Sequence, residues 1–250
     1  MTLALELAVQ DVRGIRVAAR VRPERIELCT ALALGGLTPP VGLVDAAVAA
    51  RDAGGPGVHV LVRPRTGGFT YDQDELAVLL ADCRTVAERG ADGIVVGATT
   101  TDADGTPVLD LDVIARAADA AGGGLDVTVH RVVDTLPDPV AAVDALVGTG
   151  VRRVLTSGGA AAAPDGVPVL RSMVAAAAGR LEVMAGSGVT PESVPTLAAT
   201  GVDAVHGSAS RVHAAEPGVH LGSSPEAGRF ASTDPELARR LLAAVREVRS

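Results

Sequence analysis

The chain has no lysine, no asparagine and no tryptophan, and only three of its 250 residues are Phe or Tyr. Every basic side chain other than histidine is therefore arginine. Without a lysine amine no side chain can form a Schiff base, which excludes lysine-dependent aldolases and pyridoxal-phosphate enzymes. The two cysteines, Cys29 and Cys83, are too few for a disulfide framework. They predict a reduced, cytoplasmic setting.

Long apolar runs and excess positive charge are also missing. Charged residues interrupt every alanine-rich stretch, and Glu6 and Asp11 interrupt the short apolar run near the N-terminus. We therefore expect neither a membrane span nor a targeting signal. The net charge of -8 argues against a nucleic-acid partner, which would require a basic face. With 48% hydrophobic residues, a chain of this length can bury a large core.

Short β-type segments alternate with alanine- and leucine-rich segments of helical spacing along the whole chain. The predicted strands are Leu3–Leu7, Arg25–Cys29, Val58–Arg63, Gly93–Val96, Asp126–His130, Arg153–Thr156, Leu181–Ala185 and Asp203–His206. The predicted helices are 10–22, 40–53, 72–90, 109–122, 137–149, 163–179, 190–200 and a last one from Asp234 to about Val248. This alternation predicts an α/β fold.

Eight β units and eight α units in 250 residues favour a single (β/α)₈ TIM barrel domain that spans residues 1–250. The alternative is an open, doubly wound sheet. That fold would need a glycine-rich dinucleotide turn after an early strand, and Gly35-Gly36 lacks the spacing. The segment 211–233 has a weak helical signal, and loops of that length are usually functional or disordered.

Polar and charged residues occupy the predicted strand ends, where a TIM barrel places its active site. Glu6, Glu27, His130 and His206 are the candidates for proton transfer. Buried ionic groups are costly unless they are paired, so their presence indicates a ligand site. The alternative is a paired network, such as Glu27 with Arg63, that only fills the barrel.

Two arginines follow the third predicted strand and predict one wall of an anion pocket. Arg63 and Arg65 flank a proline before a glycine turn. Their guanidinium groups match the geometry of carboxylate and phosphate oxygens. The alternative for either side chain is a surface salt bridge with a nearby carboxylate, such as Asp72, Asp74 or Glu75.

Three loops rich in small residues follow the last three predicted strands. Loops at the seventh and eighth strands of TIM barrels often hold phosphate on exposed backbone amides. We therefore expect these loops to bind a small anionic ligand, although tight turning alone would explain any one of them. The candidate residues are Thr156, Ser157, Gly186, Ser187, Gly188, Gly207 and Ser208.

Seven charged or glycine-containing segments occur in order along the chain. They are Arg25-Ile-Glu-Leu-Cys29, Gly35-Gly-Leu-Thr-Pro39, Val62-Arg-Pro-Arg65, His130-Arg131 with Asp134, Arg153-Val-Leu-Thr-Ser-Gly158, Met184-Ala-Gly-Ser-Gly188 and Val205-His-Gly-Ser208. These segments resemble the hallmark segments of the CutC family, which is associated with copper homeostasis. The resemblance covers nearly the whole chain, from Glu6 to the last helix, and implies a cytoplasmic (β/α)₈ barrel with a role in copper tolerance.

Copper is the cofactor that the resemblance implies, and Cys29 is the candidate ligand. Cu(I) prefers two or more soft donors, whereas the chain places one cysteine at a strand end. A tight site at Cys29 would therefore require two chains to share the ion, as in a homodimer. A harder metal on Glu6, Glu27, His130 and His206 is chemically feasible, but the nearby arginines oppose a cation.

Two functions thus remain open from the sequence. The first is copper handling without catalysis, which the resemblance implies. The second is a barrel enzyme that acts on a small anionic or phosphorylated substrate by acid–base chemistry, which the residues favour.

Overall fold

The computed structural model describes residues 3–213 and 229–249, and its central feature is a closed ring of eight parallel strands. Each strand pairs with its neighbours in chain order, and the first pairs with the last. The prediction of a (β/α)₈ barrel is confirmed. The strands are β1 (Ala4–Val9), β2 (Arg25–Leu28), β3 (Gly57–Leu61), β4 (Gly93–Val96), β5 (Asp126–Val129), β6 (Arg153–Thr156), β7 (Glu182–Gly186) and β8 (Ala204–Gly207).

Within residues 3–213 and 229–249, eight α-helices follow these strands. Five of them begin at an aspartate whose carboxylate accepts hydrogen bonds from the first-turn amides, a cap that stabilises a helix by about 1 kcal/mol. None of the helices in the described ranges is long and apolar enough to cross a membrane. The helices are α1 (Val12–Val21), α2 (Val41–Asp52), α3 (Gln73–Glu88), α4 (Leu111–Ala120), α5 (Pro139–Leu146), α6 (Val167–Ala177), α7 (Val194–Ala198) and α8 (Pro235–Glu247).

The main apolar core lies between the strand ring and the helices. Leu5, Leu7 and Val9 of β1 pack in one cluster with Ile15 and Val17 of α1. Inside the ring the apolar groups form two small clusters instead. One contains Cys29, Leu61 and Val95, and the other contains Leu155, Met184 and Ala204. Polar side chains take much of the remaining interior.

Strand register determines which of these polar side chains meet. Because side chains alternate along a strand, Glu6 of β1 shares a face with Ala8. In the parallel pairing, Glu6 lies opposite Arg25 of β2 on one side and opposite His206 of β8 on the other. The closure of the barrel between β1 and β8 thus brings together residues 200 positions apart in the chain.

Two β-hairpins extend the barrel, and the sequence pattern did not predict either of them. Thr99–Thr101 pairs with Pro107–Leu109 after β4, and the Asp102 carboxylate accepts hydrogen bonds from two amides of the turn. Ser210–His213 pairs with Phe230–Thr233 after β8. The ends of the predicted 211–233 segment are therefore strands, while residues 214–228 lie outside the described part of the chain.

Candidate active site at the barrel mouth

A cavity of about 400 Å³ opens at the carboxyl ends of the barrel strands. Its volume lies in the range of small-molecule pockets. The structure brings eight of the predicted site residues to its wall, and these are Glu27, Arg63, His130, Ser187, Gly188, His206, Gly207 and Ser208. Six predicted residues do not line it, namely Glu6, Cys29, Arg65, Thr156, Ser157 and Gly186.

Glu6 lies beneath the cavity and is completely buried. Its carboxylate accepts a hydrogen bond from Arg25 Nε at 2.6 Å and lies 2.7 Å from His206 Nδ1. Burial alone would raise the pKa of Glu6, but the His206 hydrogen bond and the Arg25 charge outweigh it and hold the pKa well below its usual range. A permanently charged carboxylate is a poor proton carrier. The predicted role of Glu6 in proton transfer therefore gives way to a structural one, the positioning of His206.

Glu27 and His206 form the pair that faces the cavity. The Glu6 contact fixes Nδ1 of the His206 ring, and Nε2 lies 3.7 Å from Glu27 Oε2. Burial raises the pKa of Glu27 to about 7, and the adjacent Glu6 charge acts in the same direction. Burial alone would lower the pKa of His206, but Glu27 and Glu6 outweigh it and raise the pKa. A carboxyl with this raised pKa beside an imidazole provides the groups that acid–base chemistry requires.

His130 is held as a neutral ring. Its Nδ1 accepts a hydrogen bond from the Val132 amide at 3.1 Å, which leaves the proton on Nε2. Burial and the charge of Arg63 lower the pKa of His130 to about 3. Nε2 is buried and has no hydrogen-bond partner among the described residues. The sequence predicted that His130 transfers protons. The structure instead gives its ring the geometry of a neutral hydrogen-bond donor.

Arg63 is buried against two loops. Its Nη1 donates to the carbonyls of Leu34 and Gly36, its Nη2 donates to the carbonyl of Gly67, and the guanidinium lies 5.0 Å from the centre of the Phe69 ring. Its Nε is buried with no partner in the described chain. The predicted alternative of a Glu27–Arg63 pair is therefore wrong, because Arg63 bonds to carbonyls and retains one free donor.

Arg65 lies outside the cavity, and this corrects its prediction as an anion-binding residue. Its guanidinium makes a two-pronged contact with Glu75, which is partly exposed, and also donates to the carbonyls of Gly68 and Thr70. The alternative of a salt bridge thus describes Arg65 correctly. The two arginines thus lie in different surroundings, which their shared sequence motif did not reveal.

The loop after β6 already holds a carboxylate from the chain itself. Asp134 accepts hydrogen bonds from Thr156 Oγ1 at 2.6 Å, from the Ser157 amide at 2.9 Å and from the Gly159 amide at 3.0 Å. Ser157 Oγ at 2.9 Å and Arg131 Nε at 2.8 Å also donate to it. The prediction that Thr156 and Ser157 bind an external anion is therefore corrected, because Asp134 takes their donors.

The loops after β7 and β8 have no such internal acceptor. The amides of Gly188, Val189 and Ser208 donate to no protein acceptor within the described ranges, and all three residues line the cavity. Ser187 has φ +80°, a left-handed conformation that is rare for a residue with a side chain. Gly186 lies behind these loops, where a Cβ would come within 2.5 Å of Leu155. Unpaired backbone amides are the kind of donor that binds anions in proteins.

The donor set does not fit copper. Burial, together with the Glu27 charge, raises the pKa of the Cys29 thiol far above its usual range, although a metal ligand must be a thiolate. Cys29 packs against Leu61 and Val95, and Cys83 is also buried. Across the described residues, no group of three or more His, Cys, Asp or Glu side chains is arranged to hold a metal ion.

Two residues of the site were quoted in the sequence but were given no role. Arg131 lines the cavity, and its Nη2 donates to Ser157 Oγ at 2.8 Å. Arg25 balances the charge of Glu6 and also contacts Met184 Sδ at 3.3 Å. Both residues could have been identified as site candidates from the sequence, because each belongs to a charged motif at or beside the end of a predicted strand.

Comparison with known proteins relates this architecture to one family. Residues 3–211 match the CutC family model. A CutC family protein of Klebsiella pneumoniae is 38% identical over 231 residues, which are 90% of either chain. A CutC family protein of Photobacterium profundum is 37% identical over 158 residues, so that the match spans 61% of that relative and 63% of this chain.

A solved structure gives the same relationship. CutC of Streptococcus agalactiae, whose name assigns it to copper homeostasis, superposes with a TM-score of 0.75 at 29% identity. The match covers 83% of this chain and 99% of that protein.

Proposed function

The chain belongs to the CutC family, and from this premise we propose that its barrel mouth binds a small anionic or phosphorylated substrate and moves one of its protons. The observation that carries the proposal is the set of unused groups around one cavity. Buried polar groups are normally hydrogen-bonded, so the unpaired donors Arg63 Nε and His130 Nε2 in the cavity wall are suited to a ligand. The amides of Gly188, Val189 and Ser208, which are exposed or half-buried, add backbone donors to the same wall.

The cavity wall carries both cationic groups and a carboxyl–imidazole pair. Arg63, Arg131 and the free amides give one part of the wall a positive character that suits an anion. Glu27 and His206 supply the groups for proton transfer, and the raised pKa of about 7 at Glu27 matches the condition for efficient catalysis near neutral pH. In this proposal Glu6 and Arg25 hold the pair in place and do not meet the substrate.

Titration with inorganic phosphate and sulfate tests the anion site. Arg63→Ala should weaken binding by about tenfold to a hundredfold, because loss of a charge-assisted hydrogen bond costs about 1.5–3 kcal/mol. Arg65→Ala is the matched control, since Arg65 lies two residues away but outside the cavity. Calorimetry should therefore give wild-type affinity for Arg65→Ala. Equal affinities for all three proteins would contradict the proposed site.

A role in copper homeostasis is the second candidate, and it is favoured by the name of the solved relative. The residues of this chain oppose direct Cu(I) binding within one chain, because Cys29 is buried as a neutral thiol. Anaerobic Cu(I) titration distinguishes the two functions. We expect weak binding, and any tight binding should be lost in Cys29→Ser and kept in Cys83→Ser.

The same Cu(I) titration also tests whether two chains share one ion. A shared ion between the Cys29 residues of two chains would make binding depend on protein concentration, and dilution would reveal it. Tight stoichiometric Cu(I) binding that survives Cys29→Ser would instead move the metal to other residues and contradict our assignment.

A further inference from the structure

The wall of the cavity combines a carboxyl base with a neutral hydrogen-bond donor. Glu27 lies on β2, and His130 directly follows β5, three strands away around the ring. Both residues line the same cavity. They therefore approach a bound molecule from different sides. This inference rests on the proposed function and specifies the substrate class and the reaction.

His130 can act only as a donor. Its Nδ1 is occupied by the Val132 amide, and its buried Nε2 is unpartnered within the described chain. The ring centre lies 4.9 Å from that of Phe69, which in turn lies beneath Arg63. The aromatic contact fixes the ring plane. A neutral imidazole held in this way can polarise a carbonyl while a carboxylate acts as the base.

The absence of lysine decides how a carbanion would be stabilised. A substrate carbonyl cannot form an iminium with a side chain here, because the sequence has no lysine. Charge that develops on a carbonyl oxygen would instead be stabilised by a hydrogen bond, for which His130 Nε2 is free. The phosphate of such a substrate would bind Arg63 Nε and the amides of Gly188, Val189 and Ser208.

We propose that the cavity catalyses the enolisation of a small α-hydroxycarbonyl phosphate. The Glu27 carboxylate removes the proton from the carbon beside the carbonyl. The electron pair of the broken C–H bond becomes the new C=C bond, and the carbonyl π pair moves to oxygen, where His130 Nε2 donates a hydrogen bond. Return of the proton to the same carbon regenerates the starting compound. Return to the neighbouring carbon, together with transfer of the α-hydroxyl proton to the enolate oxygen, gives the isomer. No oxidant or reductant is consumed.

Hydrogen–deuterium exchange tests this reaction directly. The full chain is incubated in D₂O with dihydroxyacetone phosphate, ribulose 5-phosphate or fructose 6-phosphate, and proton NMR follows the C–H signal beside the carbonyl. Wild type should exchange that hydrogen in at least one probe. Glu27→Gln should slow the exchange by about a hundredfold or more, the usual effect of losing a general base. Glu236→Gln, on the exposed face of α8, should exchange at the wild-type rate.

Two His130 variants distinguish the loss of the hydrogen-bond donor from a change in the packing of the ring. His130→Phe keeps an aromatic ring against Phe69 but removes the donor, so exchange should slow while circular dichroism confirms the fold. His130→Gln retains an N–H group and should recover part of the rate. Equal rates in His130→Phe and wild type would overturn the role of His130.

Parallel phosphate titrations keep the two proposals distinguishable. Probe binding without exchange in wild type would overturn enolisation and leave the anion site in place. Absence of binding by inorganic phosphate and by all three probes would overturn the proposed function as well. Exchange that persists unchanged in Glu27→Gln would assign the base to another residue and overturn the mechanism.

Discussion

Replacement of Glu6 by glutamine should destabilise the barrel more than almost any other single carboxylate change. Glu6 is completely buried between Arg25 and His206, at 2.6 Å and 2.7 Å. Glutamine keeps the shape but removes the charge, so the Arg25 guanidinium remains buried without its counterion. Removal of one partner from a buried ion pair costs about 3–5 kcal/mol. Whole domains are stable by only about 5–15 kcal/mol, so the loss is large.

Urea unfolding followed by circular dichroism measures this free energy. Glu236→Gln is the control, because Glu236 contacts Arg239 on an exposed helix face, and its unfolding midpoint should equal that of wild type. Histidine NMR supplies a second readout. Loss of the Glu6 charge should lower the pKa of His206, since Glu6 helps to raise it. The expected loss of unfolding free energy is well above about 1 kcal/mol. A variant whose unfolding free energy differs from that of wild type by less than about 1 kcal/mol would therefore refute our account of the buried network.

Two further predictions concern the cavity. The pKa of Glu27 is raised on folding to about 7, so folding favours its protonated form, and wild type should lose roughly 2–3 kcal/mol of stability as the pH rises from about 5 to 8. Urea titrations should show a flatter profile for Glu27→Gln, and identical profiles would contradict the raised pKa. Gly188→Ala places a Cβ 2.7 Å from that of Ala162 at φ +63°, and calorimetry should show at least a tenfold loss of phosphate affinity, on the order of 1.4 kcal/mol. Gly105→Ala carries a similar backbone strain at φ +80° in open space and should bind phosphate normally.

Sequence periodicity was sufficient to predict the barrel, because each strand and the helix after it have their own local pattern of apolar residues. Strands β4 and β6 have the predicted bounds, and the other six begin or end within about two residues of prediction. The hairpin Thr99–Thr101 with Pro107–Leu109 was missed because its strands are only three residues long and pack little apolar surface.

The candidate site was predictable in location but not in the roles of its residues. Strand ends identify which side chains can reach the mouth, as they did for Glu27 and His206. Roles depend on partners that are distant in sequence. Glu6 became a fixed anion through Arg25 and His206, and His130 became a neutral donor through burial and Arg63. The distances between such partners are set by the folded barrel, and no local sequence pattern indicates them.

The Asp134 carboxylate, which follows β5, acts as a tethered ligand for the loop after β6. A group that is covalently part of the chain is present at a constant effective concentration, so that loop needs no ligand from solution. Among the described residues, no carboxylate of the chain accepts hydrogen bonds from the amides of Gly188, Val189 and Ser208 in the loops after β7 and β8. Under the proposed function, the occupancy of these two loops would therefore follow the concentration of a diffusing anion, whereas the loop after β6 would not respond to it.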